Sequence, residues 1–125
     1  MKQTLQPASL EVDQEKINLY AELTDDWNPL HTDPEFAAKT EMKGVIAHGT
    51  MSLNLIWESM TASFGLEAIE KSLLDIRFLK PVCIGDRVTS GGVPLDGEAG
   101  VWRVWVMNQK GEEVIGGTAH IPERG

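Results

Sequence analysis

Cysteine is almost missing from this chain, with Cys83 alone among 125 residues. One thiol excludes an internal disulfide, a redox thiol pair and a cysteine-built metal cluster within the chain, and a reducing, cytoplasmic setting is the simplest expectation. Basic residues are scarce too: 11 Lys and Arg stand against 19 Asp and Glu, for a formal net charge of -8. With no basic run to offset repulsion from a phosphate backbone, nucleic acid is excluded as a partner. No apolar run is long enough to span a bilayer, and Met1 to Pro7 lack the apolar centre of a secretory leader, so a soluble protein with no membrane partner is expected. Internal repeats, low-complexity tracts and a dividing linker are also missing.

What is present fits one globular domain over residues 1–125, since 42% of the residues are hydrophobic and the length suits a single core. Residues 1–8 are polar around Pro7 and read as a flexible lead-in, followed by a short edge strand from Ser9 to Val12. Asp13 is a helix cap, and Ile17, Tyr20, Ala21 and Leu23 recur near helical spacing, which predicts a first helix from Gln14 to Thr24. Asp33-Pro34-Glu35 combines a cap, a proline at the first helical position and an acid in the first turn, so Asp33 reads as structural and a short helix follows through Ala38. Val45 to Ser52 opens the longest helical pattern, with Leu53, Ile56, Trp57 and Met60 on one face and a stop near Gly65.

Four strands are predicted after that: Leu73 to Lys80, Arg87 to Val93, Val101 to Met107, and Glu113 to Ile121. Asn108 to Gly111 reads as a hairpin turn, and Gly116-Gly117 as a bulge or a close backbone approach. Trp102 and Trp105 fall on opposite faces of their strand, so at least one should pack against the long helix. Helices first and consecutive strands afterwards predict an α+β fold with a largely antiparallel sheet.

The chemistry is expected between the first two helices. Pro29 disfavours helix at Asn28 and Pro34 does the same at Asp33, so residues 25 to 33 should form a shaped loop. Such a loop can aim Asp26 and His31 at one water molecule, one group taking a proton while the other orients the water or returns the proton. Imidazole titrates near neutral pH, which suits this task. Taken singly, each residue also fits a bland role, Asp26 as a turn residue and His31 as a solvated loop histidine.

Together with their neighbours they form Tyr20-Ala21-x-Leu23-Thr24-x-Asp26-x-Asn28-Pro29-Leu30-His31, which resembles the signature of the MaoC-like hydratases, a family that includes the (R)-specific enoyl-CoA hydratases. Arg77-Phe78-Leu79-Lys80-Pro81-Val82 before Ile84-Gly85-Asp86 resembles the strand and turn after that family's helix. The resemblance covers roughly residues 11 to 121 and implies a hot-dog fold, a curved sheet wrapped around one long central helix with an overhanging loop-helix segment. It further implies Asp26 and His31 as a catalytic dyad, an acyl-CoA thioester as substrate and a homodimer or higher homo-oligomer. No metal or redox cofactor is implied, coenzyme A entering only as part of the substrate.

Hydrating a 2-enoyl thioester drives negative charge onto the thioester oxygen, so a donor must face that oxygen. Ala47-His48-Gly49-Thr50 lies where the long helix begins, with free amides and the positive end of the helix dipole. The resemblance assigns the oxyanion donor to the Gly49 N–H, although a glycine needed only for the turn into the helix is the other reading. His48 is expected to orient the loop and Asn28 to shape it through backbone bonds. Trp57, in a part of the helix near the family's acyl pocket, is expected to narrow that pocket. Asp25 departs from the small residue that often precedes the family's aspartate, and an adjacent carboxylate pointing into the site would raise the pKa of Asp26. Lys39, Lys43, Arg77, Lys80, Arg87 and Arg103 are the residues from which a basic patch for coenzyme A could be drawn; His120 has no motif around it. The competing readings are a dehydratase of 3-hydroxyacyl chains on acyl carrier protein and a non-catalytic hot-dog subunit that binds an acyl thioester. Hot-dog thioesterases usually lack this loop.

Overall fold

The computed structural model describes residues 4–122. Its order begins with β1 (Ser9–Glu11), α1 (Gln14–Thr24), α2 (Pro29–Thr32), α3 (Pro34–Ala38), α4 (Gly49–Phe64) and α5 (Leu66–Glu70). Strands β2 (Leu73–Phe78), β3 (Arg87–Pro94), β4 (Val101–Met107) and β5 (Glu113–His120) complete it. All five strands pair antiparallel in the order β1-β3-β4-β5-β2, and α4 packs against β1, β3 and β4. This is the hot-dog arrangement expected from the sequence, with α1 to α3 as the overhanging segment.

Strand alternation builds one wall of the core. Trp102, Val104 and Val106 of β4 are buried while their neighbours are only partly so, and Trp102 meets Phe64 of α4 edge-on with ring centroids 5.2 Å apart. Of the two tryptophans of β4, the one facing the long helix is therefore Trp102. Val88 of β3 and Val114, Ile115 and Ala119 of β5 extend the same wall. Asn108 closes the β4–β5 hairpin, its side-chain oxygen accepting from the amides of Lys110 and Glu112. Gly117 marks a close approach rather than a bulge: a Cβ there would stand 2.1 Å from the Asp75 carbonyl oxygen of β2. The register shift falls instead between Val106 and Met107.

Helix α4 is rotated from the stripe expected. Its buried residues are Met51, Ser52, Leu55, Ile56, Ser59 and Met60, while Leu53 and Trp57 are only half-buried. The sequence pattern treated serine as polar, yet Ser59 and Ser90 of β3 satisfy each other by a buried hydroxyl–hydroxyl bond of 2.5 Å. Two small serines on this face bring the helix backbone close to the sheet. Full burial of Ile56 and Met60 contributes about 1.5–3 kcal/mol each. The helix begins at Gly49 rather than Val45, because Ala47 N–H donates to the Val82 carbonyl and Ile46 bridges Cys83 in extended backbone.

The flexible lead-in expected over residues 1–8 is not found in its described part. Leu5 is 3% exposed, its N–H donates to Gly92, and it packs where Gly92 has no side chain. Gln6 N–H donates to the Ser63 hydroxyl, and Ala8 exchanges bonds with Ser90. One buried leucine and these cross-links outweigh the loop character of the composition. Residues 1–3 lie outside the described residues. No helix among the described residues is long and apolar enough to cross a membrane.

Candidate active site

The site begins at the end of α1. Asp25 caps the helix in left-handed backbone (φ 54, ψ 39), donating its N–H to the Ala21 carbonyl, and Asp26 N–H donates to the same oxygen. This turn explains why a small residue suits position 25: the requirement is conformational, and Asp is among the few side chains that tolerate it. Asp26 Oδ1 then accepts from Asn28 N–H at 3.3 Å, closing an Asx turn. Asn28 in turn caps α2 through its own Oδ1, which accepts from Leu30 N–H at 3.0 Å. The loop expected between residues 25 and 33 thus holds one helical turn, stabilised by Pro29 at its first position and by Thr32 Oγ1 donating back to Trp27 and Asn28.

Helix α2 is fastened to the entry of α4. Ile46 N–H donates to the Leu30 carbonyl, and His31 Nδ1 lies 2.7 Å from the Ile46 carbonyl oxygen. A carbonyl only accepts, so His31 donates from Nδ1, and in the neutral ring Nε2 is then the nitrogen that can accept a proton. By the same logic His48, 3% exposed, donates from Nε2 to the Asp26 carbonyl at 2.9 Å. Its ring stacks on His31 with centroids 4.0 Å apart, and the Tyr20 ring lies 5.0 Å from it while its hydroxyl donates to Thr50 Oγ1. His48 therefore holds the backbone of Asp26 against the start of α4.

These bonds bring Asp26 and His31 together. A carboxylate oxygen of Asp26 and a ring nitrogen from each of His31 and His48 lie within 4.8 Å of one another. Asp26 is exposed, His31 half-buried and His48 buried, a gradient from solvent to core. The three groups are also the donor set a divalent ion would use. Against that use, His48 Nε2 is committed to the Asp26 carbonyl. A pair of groups able to hold and deprotonate one water is the better match to the geometry.

Beside the histidines opens a cavity of about 280 Å³, walled by His31, His48, Gly49 and Ser52 on the helix side and by Phe78, Leu79 and Ile115 on the sheet side. Gly49 is the first residue of α4, whose first amides have no acceptor within the helix. Met42, Phe78 and Leu79 line the same cavity with exposed apolar side chains. None of these three, nor Ser52, stands out in the sequence as a site residue. Phe78 and Leu79 lie within the strand-and-turn match, the one signal that could have singled them out. Trp57 does not line this cavity. A larger hollow of about 870 Å³ lies near Phe64 and Trp102 at the opposite end of α4, roughly 22 Å away along a 16-residue helix, and no candidate residue lines it.

The six basic residues do not form one patch. Lys80 pairs with Glu112 and Arg103 with Glu113. Arg77 on β2 and Arg87 on β3 are separated by two intervening strands. His120 ends β5 as an exposed residue. Cys83 is half-buried, and burial, aided by the Asp86 charge, raises its thiol pKa above the ordinary value.

Comparison with known proteins places this geometry. The chain is 39% identical over 75 residues to the mitochondrial 3-hydroxyacyl-[acyl-carrier-protein] dehydratase of Arabidopsis thaliana, covering 59% of this chain and 43% of that protein. It is 33% identical over 79 residues to the (R)-specific enoyl-CoA hydratase of Aeromonas caviae, covering 60% of this chain and 56% of that one. The chain thus spans about half the length of these curated relatives. Among solved structures, an unliganded R-hydratase from Pseudomonas aeruginosa superposes with a TM-score of 0.79 at 25% identity, over 98% of this chain and 82% of that one. The MaoC like domain matches residues 1–110, and on that match the chain belongs to the MaoC-like hydratase/dehydratase family.

Proposed function

We propose that the chain interconverts a 2-enoyl-CoA and the corresponding (R)-3-hydroxyacyl-CoA. The observation that carries this reading is the convergence of Asp26 with His31, which together with Gly49, the first residue of α4, lines an apolar cavity. In the hydration direction, a water held between the Asp26 carboxylate and His31 Nε2 loses a proton to the dyad as its oxygen bonds to the β carbon. The π electrons move onto the thioester oxygen, where the Gly49 N–H and the positive end of α4 stabilise the enolate. The dyad then delivers a proton to the α carbon, so that hydrogen and hydroxyl are added in balance. The Nδ1 bond to Ile46 keeps His31 in the tautomer that can take the proton, and His48 keeps Asp26 within reach. The (R) outcome is inferred from the Aeromonas relative. Trp57 is assigned no contact with the acyl group in this reading.

The test is loss of enoyl-thioester absorbance when purified protein meets crotonyl-CoA, beside Asp26→Ala and His31→Ala. Each variant should lose about 10²–10⁴-fold in rate while retaining its fold by circular dichroism. Variants as active as wild type would refute the dyad.

One observation favours a second reading: the Arabidopsis relative is named for an acyl-carrier-protein substrate. The same dyad would dehydrate a carrier-bound 3-hydroxyacyl chain, and activity on the carrier-linked but not the CoA-linked substrate would select it. Folded protein inactive on both would indicate a non-catalytic subunit. We also infer self-association through the free edge of β2, where Leu73 is exposed.

A further inference from the structure

Phe78 ends β2 opposite Ile115 of β5, and the residue is 56% exposed. With Leu79 and Met42, which are also exposed and line the same cavity, it forms an apolar patch of the kind that marks a ligand or partner site. The Phe78 ring lies against the start of α4: a Cβ built on Gly49 would meet three of its atoms at 2.8, 3.0 and 3.3 Å. Gly49 is not among the residues with positive φ, so the turn into α4 does not itself demand glycine. The demand comes from Phe78. Both residues line the cavity that His31 and His48 also line.

We propose that Phe78 is a specificity-determining residue that selects acyl thioesters unbranched at the α carbon, an inference that rests on the hydratase reading above. With the thioester oxygen on the Gly49 N–H and the β carbon facing His31, the α carbon lies in the cavity beside the contact between the Phe78 ring and Gly49. The space between ring and helix is already too narrow for one added carbon on the helix side. A hydrogen on the α carbon fits beside that closed contact, and a methyl group directed into it has no space. One methyl in a close-fitting apolar site changes discrimination by about 10–200-fold.

The experiment compares kcat/KM for crotonyl-CoA and its α-methyl homologue tiglyl-CoA in wild type, Phe78→Ala and Phe78→Tyr. Wild type should favour crotonyl-CoA by about tenfold or more. Phe78→Ala should lower that ratio at least fivefold, on the order of one methyl-sized contact, while Phe78→Tyr, which keeps the ring, should preserve it. A variant that is merely destabilised lowers both substrates together and leaves the ratio unchanged. A Phe78→Ala ratio within about twofold of wild type overturns the proposal, being well below that contact. If wild type turns over neither substrate, the hydratase reading fails and the wall is tested separately by calorimetric binding of butyryl-CoA and isobutyryl-CoA. A preference for the unbranched thioester that collapses in Phe78→Ala supports the wall, and equal affinities or no binding of either overturn it.

Discussion

Asp25 separates a conformational from an electrostatic account of the residue before Asp26, the aspartate proposed to be catalytic. Its backbone is left-handed at φ 54 and ψ 39, where it ends α1. An L-residue there carries about 1–2 kcal/mol of strain, with Asp toward the low end. Asp25→Gly removes that strain and costs about 0.5–1 kcal/mol in chain entropy, so the two terms nearly cancel. Asp25→Val cannot relax, because a branched Cβ crowds the carbonyl, and should cost about 2 kcal/mol relative to glycine. For a chain of 125 residues each kcal/mol moves Tm by roughly 3–5 °C, so the valine variant should melt about 6–10 °C below the glycine variant. Thermal unfolding by circular dichroism reads the difference, and crotonyl-CoA hydration by Asp25→Gly reads the chemistry. Equal melting of the two variants would refute the backbone account. A hydration rate changed more than about tenfold in Asp25→Gly, which is about 1.4 kcal/mol of barrier, would show that the Asp25 carboxylate acts on the chemistry instead.

Two further outcomes follow from the sheet. Gly117→Ala should destabilise by about 1–3 kcal/mol in urea unfolding, because the new Cβ meets backbone that cannot swing aside; its nearest contacts would be the Asp75 carbonyl oxygen at 2.1 Å and Ile76 Cα at 2.7 Å. Glu112 is held below its ordinary pKa of 4.5, first by the Lys80 hydrogen bond and next by Asn108. A depressed folded pKa stabilises above the unfolded value and is lost as pH falls through the folded one. Lys80→Met should therefore flatten the fall of stability below pH 4.5, measured by acid unfolding, and an unchanged slope would remove this pair from the balance.

Local physics made much of this fold readable. The bounds of α1 follow from Asp13 and from the periodicity of Ile17 and Ala21, both fully buried, and the bounds of β4 from strict alternation through Trp102, Val104 and Val106. The misreadings share a cause, which is long-range contact overriding local pattern. Residues 4–8 look like a polar lead-in until Leu5 finds the gap above Gly92 and Ala8 finds Ser90. The buried face of α4 shifts because Ser59 meets a hydroxyl on a strand more than thirty positions away, which no helical wheel contains.

The same division runs through the site. Asp26, Asn28 and His31 sit within six consecutive positions, so the turn chemistry that aims them is written in the prolines and caps beside them. His48 lies farther along, and its bond to the Asp26 carbonyl depends on how the extended segment before α4 runs beside Cys83 and receives α2. Phe78 lies farther still, within a matched stretch whose residues carry no polar chemistry. Here a motif marks the groups proposed to exchange protons, because the turn that aims them is local. The apolar walls that decide which acyl group reaches them come from whichever strand crosses the helix, and Gly49 carries both kinds of information. Its place at the helix start is a local fact, whereas its lack of a side chain answers to a ring brought in by the sheet. Specificity in this family member should therefore vary with Phe78 and its neighbours on the sheet edge while the dyad loop stays unchanged.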